Sequence, residues 1–270
     1  MKMLEACHSG LYYPQDPLLR QEQSQPVSSS SEQLLNLPSA LLLPHAAWDY
    51  CLGIVHAALA TTASLSPSQI LLLAPNHSGE RNGPLWVPRS DALALGKDSI
   101  GFASALRTTL VETGAVIADD GPFTDEPSWE LLMPLIEAYH PSVPILPILS
   151  SERTADHANH YATLVSNIVA TTPDTLIIIT ANANRPFASP RAEEHARLFV
   201  SALQGETEMG ARGMSSCNLS ALRAVAKIPS FVDQRWKVLD TAVRATVHDV
   251  AHYDNHEKHV WQITALLESR

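Results

Sequence analysis

Strand-length apolar runs alternate along the chain with longer stretches of helical period. ALLLP (40–44), ILLLAP (70–75), AVIAD (115–119), PILPILS (144–150) and TLIIITA (175–181) come first, then KVLDTAVRATV (237–247) and VWQITALLE (260–268). Apolar runs without polar alternation predict strands covered on both faces. Between them, CLGIVHAALATTA, IGFASALRTTLVETG, EPSWELLMPLIEAYH, ERTADHANHYATLVSNIVATT, SPRAEEHARLFVSALQ and SSCNLSALRAVAKI carry helical patterns. Gly114 marks one helix end, Pro190 marks one start, and Ser215 or Ser216 precedes the last helix; these are ordinary boundary signals. The alternation predicts a single α/β domain with a mixed, mostly parallel central sheet flanked by helices on both faces. The last two strands have no helix between them, which predicts a closing antiparallel pair. QEQSQPVSSSSEQL (21–34) is rich in Ser and Gln and predicts a mobile polar loop or the start of a weak helix.

Two of the strands end alike. LLLPHAAWDY (41–50) runs into His45, and ILLLAPNHSG (70–79) runs into His77. Open α/β sheets bind ligands beyond the carboxyl ends of their strands, so these two imidazoles can converge there. Neutral imidazole is a versatile metal ligand; either histidine alone would equally serve to cap its strand and bond a loop carbonyl. A metal held by both needs a third ligand. Cys217, in GARGMSSCNLSALRAVA, lies where a Gly-containing loop enters an amphipathic helix, and a helix N-terminus favours the thiolate. The alternative is a buried cysteine packing as a small apolar side chain. Cys51 falls on the core side of its helix, and Cys7 has no comparable setting.

Composition narrows the field. The chain has 270 residues, 45% of them apolar and 17% charged, enough for a substantial core. Its formal net charge is −10, from 18 Lys and Arg against 28 Asp and Glu. No basic run exists to neutralise phosphates, so nucleic-acid binding is not expected. Three scattered cysteines without a CxxC fit a reducing cytoplasm better than a disulfide scaffold. MKMLEACHSG lacks the apolar centre of a signal peptide, and the apolar runs are too short to span a membrane. Phosphate-loop, GxGxxG and GxSxG motifs are absent, so nucleotide binding and serine-hydrolase chemistry have no motif to rest on.

Several stretches together resemble one family. HSGLYYPQDP (8–17) resembles the AG-x-FYP-x-DP opening of Memo-like proteins, PHAAWDYCLG (44–53) their PHAGY-x-YSG segment, and APNHSG (74–79) their GP-x-H-x-G turn. EPSWELLMPLI (126–136) is similar to EHSLEVQLPFL, and SSCNLSALRAV (215–225) to the segment carrying the family's cysteine. The resemblance implies the fold of class III extradiol dioxygenases, whose non-haem iron sits on two histidines and a carboxylate, with cysteine in the third place in the Memo branch. It thus implies one metal ion on His45, His77 and Cys217, with iron or copper expected first and zinc as the alternative.

The departures bear on activity. Where the family carries SSDFSHYG, this chain reads TANANRPF, placing Asn182 at the aspartate and Arg185 at the histidine. Pro122, Phe123 and Pro127 likewise replace residues of the family's AH and EHS motifs. Asparagine cannot shuttle protons near neutral pH and arginine stays charged. By position Asn182, Arg185 and Glu126 are nonetheless the candidate catalytic residues, and Trp48, Asp49, Tyr50 and Asn76 the candidate substrate-pocket residues, with Trp48 reading equally as a core residue. Glu126 and Glu130, four apart, predict either a pocket carboxylate or an exposed pair. AHYDNHEKHV (251–260) offers His252 and His256 at helical zinc spacing, or simply a polar hairpin loop. Surface placement accounts for His56, His140, His157, His160 and His195.

The expectation is a metal-dependent, dioxygenase-like oxidoreductase acting on a small molecule. The alternative is a non-catalytic module using the altered cleft to bind a peptide or small anion, with Arg185 as anchor. A third possibility is zinc-dependent hydrolysis with Glu126 as base.

Overall fold

A computed structural model describes residues 1–27, 34–77, 84–151, 155–246 and 258–268. The proposed His252–His256 pair and most of the Ser-rich stretch lie outside these residues. In chain order the elements begin with β1 (Met3–Glu5), α1 (Pro17–Ser24), β2 (Ala40–Leu43), α2 (Trp48–Ala60), β3 (Gln69–Pro75), β4 (Leu85–Val87), β5 (Ala92–Leu95) and β6 (Asp98–Gly101). Next come α3 (Ser104–Glu112), β7 (Ile117–Ala118), α4 (Gly121–Asp125), α5 (Pro127–Glu130), α6 (Met133–Tyr139) and β8 (Ile145–Ser150). The chain continues through α7 (Ala155–Thr171), β9 (Thr175–Thr180), β10 (Phe187–Ala188) and α8 (Ser189–Leu203) to α9 (Leu219–Ala226), β11 (Arg235–Thr246) and β12 (Lys258–Glu268).

Among the described residues nine strands form one mixed sheet in the order β10-β12-β2-β9-β3-β8-β4-β7, with β11 on β12. Its centre, β2-β9-β3-β8, is parallel. β12 joins β2 antiparallel and pairs along its length with β11, as the absence of an intervening helix predicts. Successive side chains on a strand face opposite ways. Ala40, Leu42, Leu71, Leu73, Ile177 and Ile179 accordingly pack into one core with α7, α8 and α9. Leu41, Leu43, Ile70, Leu72, Leu176 and Ile178 pack into a second core with α2 and α6. Continuous apolar runs are the physical requirement of a sheet with a core on each side.

Boundaries differ from expectation in instructive places. Residues 21–24 belong to α1, which Asp16 caps by accepting from the N–H groups of Leu18 and Leu19, so over those positions the weak-helix reading of 21–34 holds and the mobile-loop reading does not. EPSWELLMPLIEAYH breaks into α5 and α6. Pro134 has no N–H for the Glu130 carbonyl, so a continuous helix would lose a rung there. Ile100 and Gly101 end β6, not a helix. The short strands β1, β5 and β6 form a separate three-stranded sheet that the apolar pattern did not signal. The last helix starts at Leu219 rather than at Ser215 or Ser216, after Asn218 in the left-handed conformation (φ 55°). Cys217 therefore precedes the helix within the turn leading into it.

Candidate metal centre

β9 lies between β2 and β3, so the two histidine-bearing strands are separated by one strand. Neighbouring strands are spaced by about 4.8 Å, which puts the ends of β2 and β3 within reach of a common point above the end of β9. The imidazoles of His45 and His77 meet there, with ring centroids 5.3 Å apart and planes at 70°. Cys217 completes the group: one ligand atom from each of His45, His77 and Cys217 lies within 4.8 Å of the others. Cys217 Sγ is 3.4 Å from His45 Nε2.

Each ring is held by its other nitrogen. Nδ1 of His45 is 2.9 Å from the buried hydroxyl of Thr180, the last residue of β9. Nδ1 of His77 is 3.0 Å from both oxygens of Glu126, which also accept the main-chain N–H of His77 (2.6 Å) and of Ser128 (2.9 Å). Glu126 is wholly buried, and its acceptor sites are spent on orienting His77 and the start of α5. That leaves it poorly placed as a general base. Engaging Nδ1 frees Nε2 of each ring for a metal, as outer carboxylate and hydroxyl partners do at many metal sites.

Asn182 sits under the thiol. Its N–H donates to Cys217 Sγ at 3.1 Å, and its Oδ1 accepts from His45 N–H at 3.3 Å. Ser216 Oγ donates to the Asn182 carbonyl (2.7 Å). Asn218 Nδ2 donates to the carbonyls of Leu73 and Thr180 (2.9 and 3.0 Å), tying β3 and β9 together beneath the turn. Burial raises the Cys217 thiol, but the flanking His45 and His77 outweigh it and bring the pKa down to about 5. Burial lowers His77, yet Cys217 and Glu126 push it up to about 10. Burial also opposes ionisation of Glu126, but the His77 N–H groups hold it down to about 2. In the metal-free cluster each of these shifts favours the ionised form: carboxylate at Glu126, imidazolium at His77 and thiolate at Cys217.

His77 and Cys217 open onto a cavity of about 410 Å³ whose wall also includes Asn76, Arg185 and Ser150. Trp48, Asp49 and Tyr50 are placed elsewhere. Trp48 is 2% exposed, packs on Tyr13 and donates its indole N–H to the Leu131 carbonyl. Glu130 is also buried: it accepts from the N–H groups of Cys7 and His8 and from Tyr13 Oη, so the two glutamates do not form an exposed pair. His56 and His140 lie in the core, bonded to Tyr139 and Thr62. His195 lines the cavity, stacked on Phe187. Thr180, Phe187, Arg191, His195 and Arg223 carried no sequence signal; each reads locally as strand or amphipathic helix.

The family model described as Memo-like protein matches residues 5–203. The chain belongs to the Memo-like family. No curated protein matches the sequence. The crystal structure of uncharacterized protein JW3007 from Escherichia coli K12 is similar, with a TM-score of 0.50 and 14% identity over 84% of this chain and 100% of that one; at that identity the likeness is one of fold. The Memo-like match covers His45, His77, Glu126 and Asn182 but stops short of Cys217, which the tertiary fold brings to the histidines. No helix among the described residues is long and apolar enough to cross a membrane.

Proposed function

We propose that this Memo-like chain holds one metal ion on His45, His77 and Cys217 and acts as a dioxygenase-like oxidoreductase on a small molecule in the adjoining cavity. The observation that carries the reading is the meeting of two imidazoles and a thiol within 4.8 Å, both Nδ1 atoms already engaged. Two nitrogens and a thiolate suit iron, copper or zinc. Iron or copper is the metal of this proposal, since oxidoreduction requires electron exchange, and zinc is the alternative. When bound, the metal supplies Lewis-acid activation and a redox centre. The chain's own residues do the rest: Glu126 and Thr180 orient the rings, and the Asn182 N–H steadies the thiolate. Free Cys217 fits a reducing compartment such as the cytoplasm.

A non-catalytic binding module is the second reading. It is favoured by Asn182 and Arg185, which stand where the family's acid–base residues are expected and cannot exchange protons near neutral pH. Elemental analysis of protein purified without a metal-affinity tag separates the two. About one iron or copper per chain, lost in His77→Ala and Cys217→Ser, supports the oxidoreductase. One zinc lost in both keeps the site but removes the redox chemistry. Wild type that takes up no iron, copper or zinc under anaerobic conditions leaves the binding module.

A further inference from the structure

The cavity beside the metal cluster opposes the charge of the chain around it. The protein carries a formal charge of −10, yet Arg185, Arg191 and Arg223 line this cavity, and no Asp or Glu is among its described lining residues. The ion pairs among the described residues engage none of the three. Two of them are held in place. Arg191 lies over the Phe187 ring, 4.4 Å from its centroid, and His195 stacks on the same ring at 4.6 Å. Arg223 donates Nε and one Nη to the carbonyls of Met209 and Gly210 at 2.9 and 3.0 Å. Any side chain at Gly210 (φ +87°) would collide with that guanidinium. Arg185 has its main-chain N–H on Ser215 Oγ (3.4 Å), while its guanidinium has no hydrogen-bond partner among the described residues.

Three guanidinium groups around one cavity repel each other, a cost that a bound anion removes. Arginine forks match the two oxygens of a carboxylate or phosphate. A cavity of about 410 Å³ has the size of a small-molecule site. We infer that it takes a small molecule bearing an oxyanion, a carboxylate or a phosphate monoester. Arg185, Arg191 and Arg223 grip the anionic end, and the uncharged part faces His77 and Cys217. The inference rests on this cleft being the working site, and it holds with or without the metal.

The test is a fluorine NMR titration of 4-fluorobenzoate, 4-fluorophenyl phosphate and the uncharged 4-fluorobenzamide. It uses wild type, Arg185→Gln, Arg185→Gln/Arg191→Gln, and Arg197→Gln as a control on α8 outside the cavity. At least one anion is expected to bind about tenfold or more tightly than the amide, to lose about tenfold in the double variant, and to be unaffected by Arg197→Gln. Arg185 is exposed, so the single variant carries the test if the double variant fails to melt cooperatively. The tighter of the two anions names the source, organic acid or phosphate ester. No binding to wild type, equal binding of the amide, or binding indifferent to Arg185 and Arg191 would overturn the inference. Metal-free Cys217→Ser separates the two proposals. Anion binding retained in that variant, with wild type itself taking up no metal, would sink the metal reading and leave this one standing. Metal uptake by wild type with arginine-independent anion binding would do the reverse.

Discussion

His45 and His77 leave the same parallel sheet in matching sequence settings and are held in opposite ways. His45 is 8% exposed. Its Nδ1 faces a neutral hydroxyl, and its main-chain N–H meets a neutral amide oxygen at 3.3 Å. The side chain of His77 is 49% exposed, and both its Nδ1 and its main-chain N–H are taken by a buried carboxylate, the latter at 2.6 Å. A hydroxyl can donate or accept, so Thr180 tolerates either His45 tautomer. A carboxylate only accepts, so Glu126 places the proton on His77 Nδ1 and raises the basicity of the ring. A repeated motif thus sets where an imidazole stands, while its electrostatics come from what packs alongside: strand β9 for His45, the start of helix α5 for His77.

That difference predicts that Glu126→Gln does the most damage. It preserves shape but turns an amide NH₂ toward donors, and metal affinity is expected to fall about 10- to 100-fold, read by competition with a chromophoric chelator. Thr180→Val removes the hydroxyl from His45 and should cost less than tenfold in the same assay. A larger loss for Thr180→Val than for Glu126→Gln would invert the comparison.

The same contrast sets an acid limb in the metal-free protein. Glu126 titrates at about 2 in the fold against 4.5 ordinarily. Its contribution is full above pH 4.5 and is lost as the pH falls toward 2. Between those values the melting temperature of wild type should drop more steeply than that of Glu126→Gln, and parallel curves would show that the carboxylate is not ionised against His77. His77, raised from 6.5 to about 10, contributes fully below pH 6.5 and loses that contribution as the pH climbs through 10. Cys217, lowered from 9.0 to about 5, runs the other way, so the two offset each other near neutrality and the acid limb belongs to Glu126. The smallest effect is expected from Asn182→Ala. It removes one long bond to His45 N–H but keeps the main-chain donor to Cys217, for about 0.5–1.5 kcal/mol in guanidinium denaturation.

Much of this was legible locally. Two-sided burial makes β2, β3, β8 and β9 continuously apolar, and the sheet topology follows from such runs alternating with helices. The strand-end histidines are visible for the same reason: a polar residue straight after an apolar run must leave the core at the sheet's edge. Trp48 read equally as a pocket wall or a core residue, because an aromatic beside a candidate ligand fits both; its indole N–H meets the Leu131 carbonyl and its ring packs on Tyr13, contacts made by residues far away in sequence. Glu126 and Glu130 were seen as a pair four apart on one helix; they stand at the two ends of the short helix α5, and each carboxylate serves a different segment. Arg185 was legible from the sequence, but its partners Arg191 on α8 and Arg223 on α9 were not, because an arginine on an amphipathic helix looks solvent-facing until the opposite wall is known.

By itself, the sequence determined the α/β class, the parallel centre of the sheet and the two histidines at its rim, because hydrophobic period and strand ends are properties of neighbouring residues. Tertiary structure alone decided that β9 separates the two histidine strands and that the turn before α9 delivers Cys217 to them. It also decided that a buried glutamate sets the charge on His77 and that three arginines share one cavity. Those outcomes depend on distances between residues tens to hundreds of positions apart, and such distances are set only when the sheet's order and the packing of its helices are complete.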